Sequence, residues 1–429
     1  MFGFANFLLL ALFAAAVFDL IFALARGGGL RGALHGLWNT PHLLFGQQLA
    51  ELRLQLGRIL FAAGLAAYEI SVVFCNSMAR QNWAWVQGVM SPVLEWLAFL
   101  CFGAKILFGT RYTWRELLAG GALYFIARWV YFNSQNIWWI GIVVAVLAAK
   151  DVPLRRPLQV YFASGCAAMA VVLALHFAGI VAPDLTSERM GALRGTYGYG
   201  HPNTFGGLVF GLVLAYALLR AQKVRWVDCL LVFAVGVFLL VGPASRSAAL
   251  CTLALAVGLV FCRLRAGHSV PRWWPGTCAG MVGLTAAVSY LLPLLVIKVG
   301  PWNNDIGPTW LAKLDSLLTC RISLTWMAYR LLDVKIAGQV FNWPTVDNSF
   351  AFALFQFGPV VAALLGILFA AALWGHAKQG RRVEVCCLFA MLAYAYMEVQ
   401  PFHLTTNPTA LLLCGAVFAQ TSARWQKIE

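Results

Sequence analysis

The amino-acid sequence predicts an all-α polytopic membrane protein, and three observations support this fold class: composition, the apolar segments and the placement of basic residues. Of 429 residues, 61% are hydrophobic and 11% are charged, and the mean hydropathy is +0.77. A soluble domain carries about 25% charged residues, so this chain has too little polar surface to cover itself in water. Apolar segments of the roughly 20 residues that a spanning helix needs recur along the whole chain.

These segments predict about thirteen transmembrane helices, or twelve if the short fifth segment merges with a neighbour. The first segment is not preceded by basic residues and has no clear small-residue cleavage site. We therefore interpret it as a transmembrane helix and not as a cleaved signal peptide. Residues 1–429 then form a single integral membrane domain. The predicted windows are 4–25, 57–75, 88–108, 117–132, 136–149, 157–181, 203–220, 226–243, 247–262, 275–297, 347–374, 383–400 and 407–421.

The net charge of +15 comes from short basic clusters in alternate connections between the apolar segments. A nucleic-acid surface would gather such residues on one face or in one run, so we expect no nucleic-acid partner. Under the positive-inside rule, these connections and the C-terminus lie in the cytoplasm and the N-terminus lies outside. The clusters are Arg26/Arg31/Arg53, Lys105/Arg111/Arg115, Lys150/Arg155/Arg156, Arg220/Lys223/Arg225, Arg263/Arg265/Arg272, Lys378/Arg381/Arg382 and Arg424/Lys427.

The other connections are polar or aromatic, poor in lysine and arginine, and predicted to be extracytoplasmic. The longest is the loop 300–346, where apolar residues from Thr309 to Leu332 recur with nearly helical spacing. This pattern predicts an amphipathic helix lying along the membrane surface. The alternative is a simple lid over the helical bundle.

Among the arginines of these otherwise weakly basic connections, we single out four as candidate binding residues: Arg189, Arg194, Arg246 and Arg321. A guanidinium is always charged, and its fork of donors matches the geometry of phosphate and carboxylate groups. Arginines that converge on one cavity would suit a pyrophosphate carried on a lipid. The alternative for each is a snorkelling side chain or a local ion pair, such as Arg189 with Glu188.

The segment 195–207 is the most distinctive of the chain, because its glycines and tyrosines form a shaped loop that enters a helix at Pro202. His201 directly precedes that proline, and Asn203 would sit at the helix start, where anions are favoured. His201 is therefore a candidate catalytic residue and Asn203 a candidate binding residue, although a lone histidine in a loop is more often structural. The eleven cysteines have no metal-ligand spacing, and we expect no metal or cofactor.

Asp347 and Asn348 open the eleventh segment directly after the long loop. A carboxylate at the entrance of an apolar helix is costly unless it is solvated, paired or functional. Asp347 is thus a candidate catalytic residue, while the alternative is a favourable interaction with the helix dipole. Carboxylates in or near other spans, which we interpret mainly as packing or interfacial groups, are Glu69, Glu95, Asp228 and Glu398.

The motif Gly-Tyr-Gly-His-Pro-Asn at 198–203 resembles a stretch of the Wzy-type polysaccharide repeat-unit polymerases, particularly those of Gram-positive capsules and exopolysaccharides. The Ser-Arg-Ser sequence at 245–247 is similar to a short turn of that family. The long loop resembles theirs as well, with Arg321 early, then Gly338, Asp347-Asn348 and a glycine eleven residues after Asp347. The likeness spans roughly 181–358 by motif, and it implies a GT-C-like membrane fold of the O-antigen ligase and polymerase superfamily.

The resemblance implies a metal-independent glycosyl transfer, in which undecaprenyl-pyrophosphate-linked glycans are joined at the extracytoplasmic face of the bacterial cytoplasmic membrane. Arg194, Arg246 and Arg321 would bind the pyrophosphate, with Arg189 as a further binding residue. Asp347 or His201 would be the base, and Asn203 and Asn348 would position sugar hydroxyls. Expected partners are the lipid-linked glycans and membrane lipids, with a flippase and a chain-length regulator as further candidates.

The wider superfamily often has His-Asn where this chain has Asp347-Asn348. The identity of the base therefore stays open between Asp347 and His201, unless the acceptor needs little activation. An O-antigen-type ligase, which uses the same donor and another acceptor, is the nearest alternative function. A glycan transporter or flippase is an alternative of a different class, but no internal repeat favours it. If the protein were a purely structural subunit, these four arginines would have no functional role.

Overall fold

The computed structural model describes residues 2–25, 29–46, 48–181, 187–189, 192–296, 308–342 and 344–418. Those residues form an all-α protein with two short antiparallel strand pairs, β1 (His42–Leu43) with β2 (Arg111–Tyr112) and β3 (Ser187–Arg189) with β4 (Ala192–Arg194). The helices are α1 (Phe2–Ala25), α2 (Gly29–Asn39), α3 (Ala50–Cys75), α4 (Ala79–Asn82), α5 (Ser91–Phe108), α6 (Trp114–Ser134), α7 (Ile137–Ala148), α8 (Arg155–Phe177), α9 (Pro202–Leu219), α10 (Trp226–Val241), α11 (Arg246–Leu264), α12 (Trp274–Leu291), α13 (Thr309–Leu317), α14 (Arg321–Leu331), α15 (Ser349–Phe352), α16 (Pro359–Lys378), α17 (Arg382–Met397) and α18 (Cys414–Val417).

Local sequence signals determine where several of these helices begin. Thr113 and Glu116 form a reciprocal capping box that starts α6. Asn136 accepts the first backbone N–H groups of α7 through its side-chain oxygen. Proline lies in the first turn of α5, α9, α12 and α16, where its missing N–H costs nothing.

Each predicted window overlaps at least one helix of the described residues, which confirms the polytopic all-α fold. Within the described residues, eight helices are long and apolar enough to cross a membrane. They are Asn6–Ala25, Ala50–Cys75, Val86–Phe108, Arg155–Phe177, Pro202–Leu219, Arg246–Leu264, Trp274–Leu295 and Pro359–Lys378. Three windows are shorter apolar helices, Ile137–Ala148, Trp226–Val241 and Pro408–Val417, while α6 carries charges near both ends and α17 has only 16 residues.

The helices pack around one large apolar core. The principal pairs are α3 with α5 and α8, α10 with α11, α12 with α16, and α11 with α17. Trp139, Tyr161 and Phe210 are among the largest fully buried side chains of this core. By contrast, Leu10, Phe13 and other large apolar side chains of α1 are well exposed, as expected for a surface that lipid rather than water solvates.

Contacts between loops divide the bundle into two ends. At one end, which we call the Glu398 end, the contacts involve the connections that the sequence predicts to be poor in lysine and arginine. Ser77 forms a backbone bridge with Tyr199, and the ring of Trp138 lies 3.7 Å from that of His403. At the opposite end, the Arg263 end, basic connections contact each other, as where Arg382 donates to the backbone carbonyl of His268. The predicted alternation of connections therefore agrees with the fold.

The predicted span 347–374 is wrong in extent, because a break at Gly358 divides it. The chain runs through α15 and a π-helical turn at Ala353–Phe357 before α16 begins at Pro359. Gly358 has φ +87, and a Cβ there would lie 2.1 Å from the carbonyl oxygen of Ile336. Only glycine fits this backbone crossing without strain, so the close approach of loop 333–341 determines where the span starts.

The single amphipathic helix predicted from Thr309 to Leu332 is also wrong, since the segment folds as two helices, α13 and α14. Thr319 and Cys320 between them both have positive φ, which no continuous right-handed helix allows. Leu311 and Ile322 pack with Val296 in a small apolar cluster beside the main core. This part of the loop thus packs against the protein, as the lid interpretation expects.

Candidate functional site

A buried carboxylate, Glu398, lies at the centre of a polar cluster directly after the end of α17. Its side chain is 6% exposed. Its Oε1 accepts hydrogen bonds from Asn203 Nδ2 at 3.1 Å, Ser247 Oγ at 2.8 Å and Arg321 Nη2 at 2.7 Å. Its Oε2 receives no hydrogen bond from the described part of the chain, which leaves that oxygen able to accept a proton or a donor from a ligand.

Arg321, the first residue of α14, forms a buried ion pair with Glu398. Its Nε donates to the carbonyl of Met397, and its Nη1 donates to the carbonyl of Leu318 at 2.8 Å. Its Nη2 also reaches Ser247 Oγ at 3.3 Å. All three guanidinium nitrogens therefore serve protein acceptors, and breaking such a buried pair typically costs about 3–5 kcal/mol.

Asp315 determines the orientation of the helix that carries Arg321. It is fully buried on α13 and accepts the backbone N–H of Ile322 at 2.7 Å and of Ser323 at 3.2 Å. The Ser323 hydroxyl donates to its second oxygen at 2.8 Å. These bonds satisfy donors at the N-terminus of α14 that would otherwise lack partners. The split between the two helices thus serves to place Arg321.

Arg194 joins the cluster from the end of strand β4, which precedes α9. Its Nη2 donates to Asn203 Oδ1 at 2.9 Å and to the carbonyl of Ala244 at 3.1 Å. Asn203 therefore links Arg194 to Glu398, since its oxygen accepts from the arginine while its amide group donates to the carboxylate. The structure thereby brings together three predicted site residues, Arg194, Asn203 and Arg321, from distant parts of the sequence.

His201 is exposed and acts as the N-cap of α9, where its Nδ1 accepts the backbone N–H of Asn203 at 3.1 Å. In a neutral imidazole whose Nδ1 accepts, the proton resides on Nε2. Such a ring can take a second proton only by giving up its capping bond. This geometry makes His201 a weaker candidate for the base than a carboxylate.

The segment 347–349 contacts the cluster from the other side. Asn348, not Asp347, caps α15, accepting from the backbone N–H of Phe350 at 2.9 Å, and its amide donates to Ser289 Oγ at 3.2 Å. Both polar groups of Asn348 thus bind within the protein. Ser349 donates its hydroxyl to the Glu398 carbonyl at 2.5 Å, and the half-buried Asp347 lies close enough to raise the pKa of Glu398.

The other two predicted arginines are less closely tied to Glu398. Arg246 is exposed as the first residue of α11, and its neighbour Ser247 contributes the hydroxyl that binds Glu398. The backbone of Arg189 pairs with Ala192 in the β3–β4 hairpin, while its side chain lies outside the described residues.

The Glu398 carboxyl titrates near neutral pH. Burial, against the opposing charge of Arg321 and together with the charge of Asp347, raises its pKa to about 7. A carboxyl with such a pKa can exchange a proton at physiological pH, which is the property that general acid–base chemistry requires. The described residues contain no group of three or more His, Cys, Asp or Glu side chains placed to hold a metal ion.

An apolar groove of about 100 Å³ lies beside the cluster, between α7, α12, α16 and α17. Trp139, Val282, Phe369 and Met391 line its length, and Ser349 is at its polar side. Ser349 also donates its hydroxyl to the Glu398 carbonyl, so this residue belongs to both the groove and the polar cluster.

Glu398 was not predicted as a site residue, because a single glutamate after an apolar helix resembles an ordinary interfacial group. The available signal was the arginine Arg321 in a weakly basic connection, which implied a buried acidic partner. Nothing in the spacing of 77 residues between the two identified that partner.

The fold and the cluster together define a polytopic helical membrane protein with a buried arginine–carboxylate site at one end of its bundle. No protein-family model matches the chain, and neither a curated protein nor a solved structure matches it.

Proposed function

We propose that this protein is a glycosyltransferase that polymerises undecaprenyl-pyrophosphate-linked oligosaccharide repeat units at the extracytoplasmic face of the bacterial cytoplasmic membrane. The observation that carries the proposal is the convergence of Asn203, Ser247 and Arg321 on Glu398, with Arg194 joined to it through Asn203. Asn203, Ser247 and Arg321 come from the three segments whose sequences resemble the polymerase family, whereas Arg194 and Glu398 lie outside those segments.

In the proposed reaction, the acceptor sugar hydroxyl attacks the anomeric carbon of the donor glycan. The new glycosidic bond forms as the bond from that carbon to the pyrophosphate oxygen breaks, and the electron pair leaves with the lipid pyrophosphate. The hydroxyl proton passes to a carboxylate, for which we propose Glu398 Oε2, with Asp347 as the alternative. Preorganised positive groups stabilise the charge that develops on the leaving group.

We assign the pyrophosphate to Arg194 and Arg246. The guanidinium of Arg321 already serves three protein acceptors besides Glu398, so we assign it the task of holding Glu398 in place and in its charged form. The lipid chain of the substrate would lie among the spanning helices, with one short part of it at the apolar groove beside Ser349.

The decisive experiment is polymerisation in vitro by the full chain in lipid vesicles, supplied with an extract of lipid-linked repeat units and analysed by size on a gel. We expect a ladder of longer lipid-linked glycans from the native protein and none from Arg321→Ala. The matched control is Arg156→Ala, since Arg156 is an exposed arginine at the other end of the bundle.

A native ladder that persists in folded Arg321→Ala would refute the assigned site. Transfer to a separate added acceptor, without a ladder, would instead indicate a ligase. Formation of neither product by folded protein from verified substrate would exclude both enzymes and favour transport.

A further inference from the structure

A second cavity, of about 590 Å³, lies at the Arg263 end of the bundle. It is enclosed by the connection from α9 to α10, the last turn of α11 and the turn from α16 to α17. Its lining contains one carboxylate, that of Glu384, and five basic side chains: Lys223, Arg225, Arg263, Arg381 and Arg382.

The described residues leave most of this positive charge uncompensated. Asp228, the acidic residue nearest in sequence to Arg225, is buried and pairs with Arg220 at 3.1 Å. Arg382 donates to backbone carbonyls of the connection after α11. The four other basic side chains of the cavity make no salt bridge within the described chain. Like charges that converge in this way repel each other, and a bound anion would relieve the repulsion.

Exposed apolar side chains directly follow two of the cavity's basic residues along the chain. Arg225 is followed on α10 by Trp226 and Val227, which are 53% and 70% exposed. Arg263 is followed by Leu264, which is 62% exposed. Basic groups in a cavity beside exposed apolar groups match a ligand that has an anionic head and hydrocarbon chains, whereas free phosphate would use the basic groups alone.

We propose that this cavity binds the phosphate headgroup of an anionic membrane phospholipid, whose acyl chains lie along α10 and α11. Basic pockets between transmembrane helices bind such headgroups in other membrane proteins. The site is separate from the Glu398 cluster, because α9, α11 and α17 each run from one to the other. The 19 residues of α11 put the two ends roughly 28 Å apart at 1.5 Å per residue. This inference does not depend on the proposed glycosyl transfer.

The test compares the full chain with the variant Lys223→Gln/Arg263→Gln/Arg381→Gln, both purified in detergent. Binding to vesicles of phosphatidylglycerol, to vesicles of phosphatidylcholine and to inorganic phosphate is measured separately. The control is Arg156→Gln/Arg272→Gln/Lys378→Gln, which removes the same charge from exposed residues outside the cavity lining.

We expect the native chain to prefer phosphatidylglycerol, and the cavity variant to bind it about tenfold more weakly or worse, while the control keeps the native affinity. Equal weakening in cavity variant and control would overturn the proposal, because the binding would then follow net charge. The lipid assignment would be overturned if the native chain bound inorganic phosphate and showed no preference between the two lipids, while the cavity variant lost the phosphate binding. If the triple variant does not fold, Arg263→Gln and Arg381→Gln are measured singly against Arg272→Gln under the same criteria.

Discussion

At the scale of single residues, the proposed chemistry depends on a balance between burial and charge at Glu398. Burial favours the protonated carboxyl, whereas Arg321 and the hydrogen bonds from Asn203 and Ser247 favour the carboxylate. Burial outweighs these interactions and raises the pKa from the ordinary glutamate value to about 7. A deeply buried acid without these partners would stay protonated, and a fully solvated acid would be too weak a base.

The replacement Glu398→Gln tests this role. A base acts in its ionised form, and a carboxyl with a raised pKa is ionised only above that pKa, so the native rate should rise as pH increases through about 7. The variant should lose this rise and about a hundredfold or more in kcat. The pH–rate profile of polymerisation, with Glu51→Gln as the control at an 82% exposed glutamate, measures both effects.

If Glu398→Gln keeps the native profile while Asp347→Asn abolishes the rise with pH, the base is Asp347. Unchanged rates and profiles in both folded variants would remove carboxylate catalysis from the mechanism.

At the scale of structural elements, short helices that lie beyond the spans build the site. The turn between α13 and α14 directs Arg321 into the bundle, and Asp315 maintains that turn with three hydrogen bonds. The break at Gly358 has a similar effect on the opposite side, since it keeps α15 and Ser349 at the Glu398 end and out of the span.

We predict that Asp315→Ala lowers stability by about 1–2 kcal/mol, the usual cost of losing a helix cap. It should also lower kcat more than it raises KM, because Asp315 positions Arg321 and does not touch substrate. Thermal unfolding and steady-state kinetics measure the two effects. Asp333→Ala, at an exposed aspartate of the same loop, should change neither.

A loss of stability in Asp315→Ala with native kcat would mean that the orientation of α14 does not matter for the reaction. Arg321 would then owe its position to other contacts.

At the scale of the whole molecule, the bundle has two chemically different ends joined by the same helices. The Glu398 end holds the arginine–carboxylate cluster, and the Arg263 end holds the basic cavity. Basic residues concentrate at the cytoplasmic side of membrane proteins, which predicts that the Glu398 end is extracytoplasmic.

The exposed Cys320 at the Glu398 end provides a test of this orientation. We expect a membrane-impermeant thiol reagent to label Cys320 in cells whose outer envelope layers have been removed but whose cytoplasmic membrane is intact. A cysteine introduced by Lys378→Cys, at the other end, should be labelled only after the membrane is permeabilised. Cys320→Ser serves as the background control, and the reverse labelling pattern would invert the proposed topology.

The sequence by itself determined the fold class, the approximate helices and the alternation of connections, because these depend on local composition and on the solvation of apolar segments by lipid. Local signals such as the capping pair Thr113 and Glu116 or the proline of α9 also set helix starts without long-range help. The same local information identified Arg194, Asn203 and Arg321 as unusual residues.

Only the tertiary structure decided which of these residues meet. Glu398 and Arg321 are 77 residues apart, and their pairing depends on how α14 packs against the end of α17. The split of the long loop and the break at Gly358 likewise arise from backbone groups distant in sequence, such as the carbonyl of Ile336. Spacing and hydropathy report on neighbours along the chain, whereas a buried charged site is defined by neighbours in space.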